Sequence, residues 1–329
     1  MTGTPDAVTP APDPAAAAAD PVSAAPPGGR APALPREDAP RTPRTRVPLL
    51  LWVPALAGLA FVVLPLAGLL VRAPWRSVLD RLGDPAVRTA LRLSLECSFG
   101  ALGISLVLGV PLAWLFARVD FPGKSVLRAL VLLPLVLPPV VGGVALLLAF
   151  GRRGLLGPWL ESLGIRLTFS MTGAMLAGAF VALPFLVLSV EGAIAGLDRK
   201  YEETAATLGA GPLRVFTTVT LPLIAPGLAA GAALAWARAL GEFGATITFA
   251  GNLPGETQTL PLAVYLMLQD DPDTAIAVSL LLLVVSVVVL VALRGRWLSP
   301  SARKAPARTA PARTAPTRNL TGKGEGGPR

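Results

Sequence analysis

The stretch "YEETAATLGAGPLRVFTTVTLPLIAPG", residues 201–227, decides how the rest of the chain is read. Up to Leu208 it favours helix, because Ala205, Ala206 and Leu208 are good helix formers and Glu202 and Glu203 suit the positive end of a helix dipole. Gly209 and Gly211 then permit a turn at positive φ, and Pro212 is suited to open a second short helix. Helix, turn and helix are therefore predicted immediately ahead of an apolar run that begins at Leu221. Read from its residues alone, such a segment is an amphipathic connector.

What it connects follows from composition. Hydrophobic residues make up 53% and charged residues 15% of the 329 positions. With a mean hydropathy of +0.63, the chain is too apolar for a soluble globule and belongs in a bilayer. Crossing about 30 Å of hydrocarbon takes roughly 20 helical residues, and six runs approach or exceed that length: 48–71, 93–117, 129–150, 171–190, 221–251 and 275–293. The third contains Pro134, Pro138 and Pro139 followed by Gly142 and Gly143, a composition tolerated only where neighbours or water satisfy the freed carbonyls. In the fifth, Gly227 and Gly231 form a small-residue motif that lets helix backbones approach closely. The predicted fold is an all-α membrane protein of about six spans, with the connector lying between spans four and five.

The formal charge of +9 does not mark a nucleic-acid binder. Residues 1–46 are balanced at five basic against five acidic, whereas residues 294–329 carry nine basic and one acidic, so the excess sits in a C-terminal tail. Tail charge beside a membrane serves topology and anionic lipid. Both ends, 1–46 and 298–329, are rich in Pro and Ala and are predicted to be disordered flanks of a membrane domain at 47–297. Lys and Arg near the span ends favour cytoplasmic termini and a cytoplasmic segment 191–220. With no His and one Cys, Cys97, the chain lacks common zinc ligands, Ser-His-Asp or Cys-His catalysis, and any internal disulfide.

In the connector, Glu203, Thr204 and Ala205, with Gly209 four residues on and Leu221-Pro222 beyond, closely resemble the "EAA…G…LP" signature of the membrane subunits of bacterial ABC importers. Thr204 stands where that pattern has Ala, a small-for-small change. The resemblance implies a coupling helix that docks on a separate ATPase subunit, with Glu202, Glu203, Thr204, Ala205, Leu208, Gly209 and Pro222 as its residues. It further implies two copies of this chain, two ATPase subunits carrying ATP and Mg, an extracytoplasmic binding protein, and no cofactor held by this chain. The only P-loop fragment is "GKS" at 123–125, where Arg118 takes the place of the first Gly.

A second likeness narrows the branch. Residues 237–265, "ARALGEFGATITFAGNLPGETQTLPLAVY", together with "LPLVLPPVVGG" at 133–143 and "GIRLTF" at 164–169, resemble the molybdate permeases of this family, with sulfate, thiosulfate and tungstate permeases as near relatives. A dianion that must leave again needs weak, distributed contacts. Thr246, Thr248 and Asn252 are the candidates for such contacts, followed by Ser170 and Thr172. A competing reading has each Thr hydroxyl bond the preceding turn of its own helix. Arg238 and Glu242, flanking Gly241, are four apart and are expected to pair along one helix face as a neutral wall of the pathway; Arg92 and Glu96 have the same spacing. A secondary transporter would use midplane ionisable residues and lack the coupling signature. An intramembrane enzyme would need a catalytic constellation, and none is apparent.

Overall fold

The structure, a computed structural model, describes residues 49–297; both tails lie outside the described residues. Among the described residues the secondary structure is helical throughout. Helix α1 (Leu49–Arg72), taken on its own, exposes every side chain from Leu51 to Leu66. After the short α2 (Val78–Leu82), α3 (Pro85–Arg118) opens with Pro85 in its first turn and Asp84 accepting from the Ala86 amide at 2.7 Å. Next come α4 (Lys124–Leu132), a 3-10 turn (Leu133–Leu135), α5 (Pro139–Phe150) and the short α6 (Gly157–Ser162). Helix α7 (Met171–Ala195) is capped by Ser170, whose hydroxyl accepts from the Gly173 amide at 3.1 Å. The connector forms α8 (Lys200–Thr207) and α9 (Pro212–Val215), followed by a π-helical turn (Phe216–Thr220) that leads into α10 (Leu221–Leu240). Helices α11 (Gly244–Phe249), α12 (Leu260–Asp270) and α13 (Pro272–Trp297) complete the order.

Among the described residues, five helical segments are long and apolar enough to span a membrane, and a sixth is obtained if α4 and α5 count as one bent span. Three details differ from the sequence reading. The run 129–150 is two helices bent by 118° rather than one rod. Pro138 and Pro139 supply no amide hydrogen, and Pro138 is extended at ψ 132°, so the helix ends and restarts there. The fifth span stops at Leu240, not Gly251, and its last residues form the separate α11. Helix α12 was not anticipated, because eleven residues fall short of a span. Its Leu260 and Ala263 instead pack with Val87, Ala90 and Val278 in a small core.

The main core is built around α7, which packs against α3 on one side and α10 on another. A helix apolar on all faces is a buried one, and α7 buries 13 residues, the first Gly173 and the last Ile194. Lipid tails are as apolar as these side chains, so close van der Waals packing of small residues must hold the helices together. A Cβ on Gly227 would lie 2.5 Å from the Ala193 Cβ, and one on Gly231 would lie 2.7 Å from that of Ser189. The Ser189 hydroxyl also donates to the Gly227 carbonyl at 3.0 Å. The paired glycines thus act as anticipated, as a packing seam of α10 on α7.

Outside the spans, Arg81 on α2 lies 2.7 Å from Asp271, just ahead of α13. The Thr274 hydroxyl and amide, and then Arg81, hold the Asp271 carboxyl below its ordinary range.

Candidate coupling and pathway sites

The connector folds as its residues dictate. Asp198 accepts from the Lys200 amide at 3.1 Å and meets the Lys200 ammonium at 2.7 Å, which holds its carboxyl below the ordinary range. Gly209 adopts φ 85°, a left-handed turn that glycine takes without cost, and Pro212 opens α9. Thr204 donates to the Lys200 carbonyl at 2.7 Å, so its hydroxyl is satisfied within its own turn. Glu203 and Thr204 are exposed and Ala205 is half-buried. Leu208 is 84% exposed and Leu213 77% exposed, so two large apolar side chains flank the glycine turn with nothing over them. Pro222 sits in the first turn of α10.

Glu202 is turned the other way. One carboxylate oxygen, Oε2, lies 2.7 Å from Nε of Arg118, the last residue of α3. The other, Oε1, accepts from the Thr220 hydroxyl at 2.6 Å, and Thr220 is fully buried in the π-helical turn. A cleft of about 450 Å³ opens beside this junction, walled by Trp114, Arg199, Ala206 and Phe216. Glu191 is buried on α7, 3.3 Å from Arg128 on α4.

The pathway candidates gather around the break after α10. Arg238, in the last turn of α10, places Nη1 at 2.7 Å from Glu242 Oε2. The expectation of a pair along one helix face is corrected: Gly241 closes α10, and Glu242 lies beyond its end. The pair therefore joins the last turn of α10 to the linker before α11, and Glu242 Oε1 accepts from the Ala245 amide at 2.8 Å, satisfying a donor in the first turn of α11. Glu242 and Thr246 are buried, whereas the Arg238 side chain is 28% exposed and offers the accessible charge of the group. Thr248 donates to the Gly244 carbonyl at 2.6 Å, which is the competing reading given above. Helix α11 is pressed onto α5, since a Cβ on Gly143 would lie 2.7 Å from the Thr248 Cβ and 2.9 Å from the Ala245 carbonyl oxygen.

Asn252 follows Gly251, and its Oδ1 is buried without a hydrogen-bond partner. Phe169 approaches from the α6–α7 segment at φ 53°, the one positive φ among the described non-glycine residues. A Cβ on Gly251, itself at φ 78°, would lie 2.9 Å from the Phe169 ring. A backbone held in this way costs about 1–3 kcal/mol and persists only where its surroundings impose it. Ser170 and Thr172 lie 2.9 Å apart at the start of α7. Their neighbours Phe169 and Gly173 approach Gly251 and Phe249 at the far end of α11.

Residues 107–304 match the family described as binding-protein-dependent transport system inner membrane component. The chain belongs to this family. As a member it is 48% identical over 254 residues to the molybdenum transport system permease protein of Mycobacterium tuberculosis, across 77% of this chain and 96% of the relative. For the Escherichia coli permease of the same description the identity is 46%, across 68% of this chain and 97% of that protein. The sulfate transport system permease protein of Escherichia coli is 36% identical, across 70% and 84%. The fold also matches a crystal structure of a bacterial alginate ABC transporter in complex with an alginate pentasaccharide-bound periplasmic protein. That match has a TM-score of 0.60 and 18% identity, and it covers 76% of this chain and 94% of that one; it bears on fold alone.

Two features of this permease escaped sequence reasoning. Nothing local in the sequence pairs Arg118, at the end of an apolar run, with a carboxylate 84 positions later. The Phe169–Gly251 approach joins segments 82 positions apart; the only local signal was the Gly.

Proposed function

We propose that this chain is the membrane subunit through which molybdate is imported across the cytoplasmic membrane, with ATP hydrolysed on a separate partner subunit. The observation that carries the reading is the gradient of identity, 48% and 46% to the molybdenum permeases against 36% to a sulfate permease, over similar shares of the chain. Two copies of the chain enclose the route, two ATPase subunits sit on the cytoplasmic side with ATP and Mg, and an extracytoplasmic binding protein delivers the oxyanion. Both termini are cytoplasmic, and the outward faces of the spans, α1 among them, meet lipid.

The exposed Leu208 and Leu213 beside the Gly209 turn are the surface that α8 offers to the ATPase, with Glu203 as the free carboxylate on the same helix. Closure of the ATPase pair moves the two connectors together and rocks the bundles about the route. Within the route, Arg238 supplies a cation already neutralised by Glu242, so that a passing dianion is neither trapped nor repelled. Asn252 supplies a neutral polar group beyond Gly241, where α10 ends, while Thr248 stays bonded within its own helix and Thr246 stays buried.

The test is reconstitution with the cognate ATPase and binding protein in proteoliposomes. Molybdate-loaded binding protein should raise ATP hydrolysis several-fold and drive molybdate uptake; stimulation by sulfate with none by molybdate would overturn the assignment.

A further inference from the structure

The junction at Glu202 does more than hold a loop in place. On α8, Tyr201, Glu203, Thr204, Ala206 and Thr207 are exposed, while Glu202 turns its carboxylate inward between two other elements. One oxygen meets the guanidinium that ends α3, and the other meets the hydroxyl at the base of α10. The same guanidinium also donates, through Nη2, to the Leu197 carbonyl at 3.4 Å, in the segment that leaves α7. Through Arg118 and Thr220, one carboxylate therefore addresses the ends of all three helices that build the main core.

Burial makes the junction stiff. The Arg118 and Glu202 side chains are 10% and 16% exposed, so water screens the pair little and neither charge is easily separated from the other. The exposed pairs behave differently: one side chain of Lys124–Asp120 and both of Lys200–Asp198 are more than half in solvent, so these pairs are screened and loose. An element that must pass on a displacement needs a connection that does not yield, and coupling travels through packed contacts of this kind.

The geometry points to Glu202 as the positioning residue that transmits the movement of the connector to the membrane helices, with Arg118 and Thr220 as its two attachments. This rests on the reading of α8 as the ATPase-docking helix. Glu203 and Leu208 then face the ATPase, while Glu202 faces the bundle; adjacent side chains divide the two tasks.

The experiment uses the full complex in proteoliposomes with molybdate and the binding protein, and reads molybdate imported per ATP hydrolysed. Glu202→Gln and Arg118→Met should each lower that ratio about tenfold, and the double variant should be no worse than either single one, as expected for groups acting as a unit. Thr220→Val, which is nearly isosteric and changes no charge, should lower it about threefold even if the charge variants assemble poorly. A purely structural role would reduce the yield of complex and leave imported molybdate per ATP at the wild-type value, and that result would overturn the inference. Docking is read separately with Leu208→Cys carrying a benzophenone label. Cross-linking to the ATPase in both wild-type and Glu202→Gln backgrounds keeps the docking reading in place; no cross-link in the wild-type background would remove that reading and the inference with it.

Discussion

The connector at 200–222 and the break at 240–252 both interrupt an apolar chain with glycine and a carboxylate, yet they are built on opposite principles. In the connector the turn is open: nothing lies within 4 Å of where a Gly209 side chain would begin, and glycine is there for its φ of 85°. At the break the backbone of α11 is ordinary and the surroundings are crowded, with Gly143 of α5 required by close approach and not by its own dihedral. The carboxylates divide likewise. Glu202 joins elements far apart in sequence, whereas Glu242 joins neighbours across a gap of four residues. A turn set by local dihedrals is free to move as a body; a turn set by packing is fixed by what surrounds it.

Three substitutions sharpen this contrast, in decreasing order of effect on stability. Gly143→Val places a branched side chain where backbone atoms of Ala245 already stand, and overpacking of this kind should cost about 3 kcal/mol, read as a lowered unfolding midpoint in detergent. An unchanged midpoint would mean that α5 and α11 separate freely. Glu242→Gln keeps an acceptor for the Ala245 amide but leaves Arg238 without its counter-charge. Because Arg238 is partly exposed, the loss should be about 2 kcal/mol, below the ~3–5 kcal/mol of a fully buried broken pair. Uptake should fall more than protein yield, and equal uptake per molecule would return the pair to a structural role. Gly209→Val forces a β-branched residue to positive φ at about 1–2 kcal/mol with no clash to add. The variant should insert normally and lose molybdate-driven transport; full transport would show that the turn carries no coupling.

These two regions were unequally legible. The connector's helix–turn–helix could be read residue by residue because its signals are local: Ala and Glu for the first helix, Gly209 for the turn, Pro212 for the second. The apolar runs located the spans for the same reason. The break was hidden inside a continuous apolar stretch, since hydropathy cannot distinguish a helix that continues from one that stops and restarts against a neighbour. Arg238 and Glu242 were recognised as a pair from their spacing, but the helix face assumed for them does not exist there. The bend at Pro138 lay between these cases, since proline announced the break and said nothing of the 118° angle. Contacts such as Arg118–Glu202 depend on the whole fold and left no local mark.

The π-helical turn at Phe216–Thr220 sets a phase. An α-helix rotates by about 100° per residue, and a π turn accommodates one residue more than an α turn. The surplus residue sets the azimuth of α9 relative to α10, and the turn carries the Thr220 hydroxyl that meets Glu202. Deleting one residue between Phe216 and Thr220 would leave the hydropathy profile intact and shorten the Gly209-to-Leu221 spacing by one, while turning α9 by about 100° relative to α10. Alignment of the proposed coupling segment with the membrane helices is thus written as a count of residues, in a place where no single side chain records it.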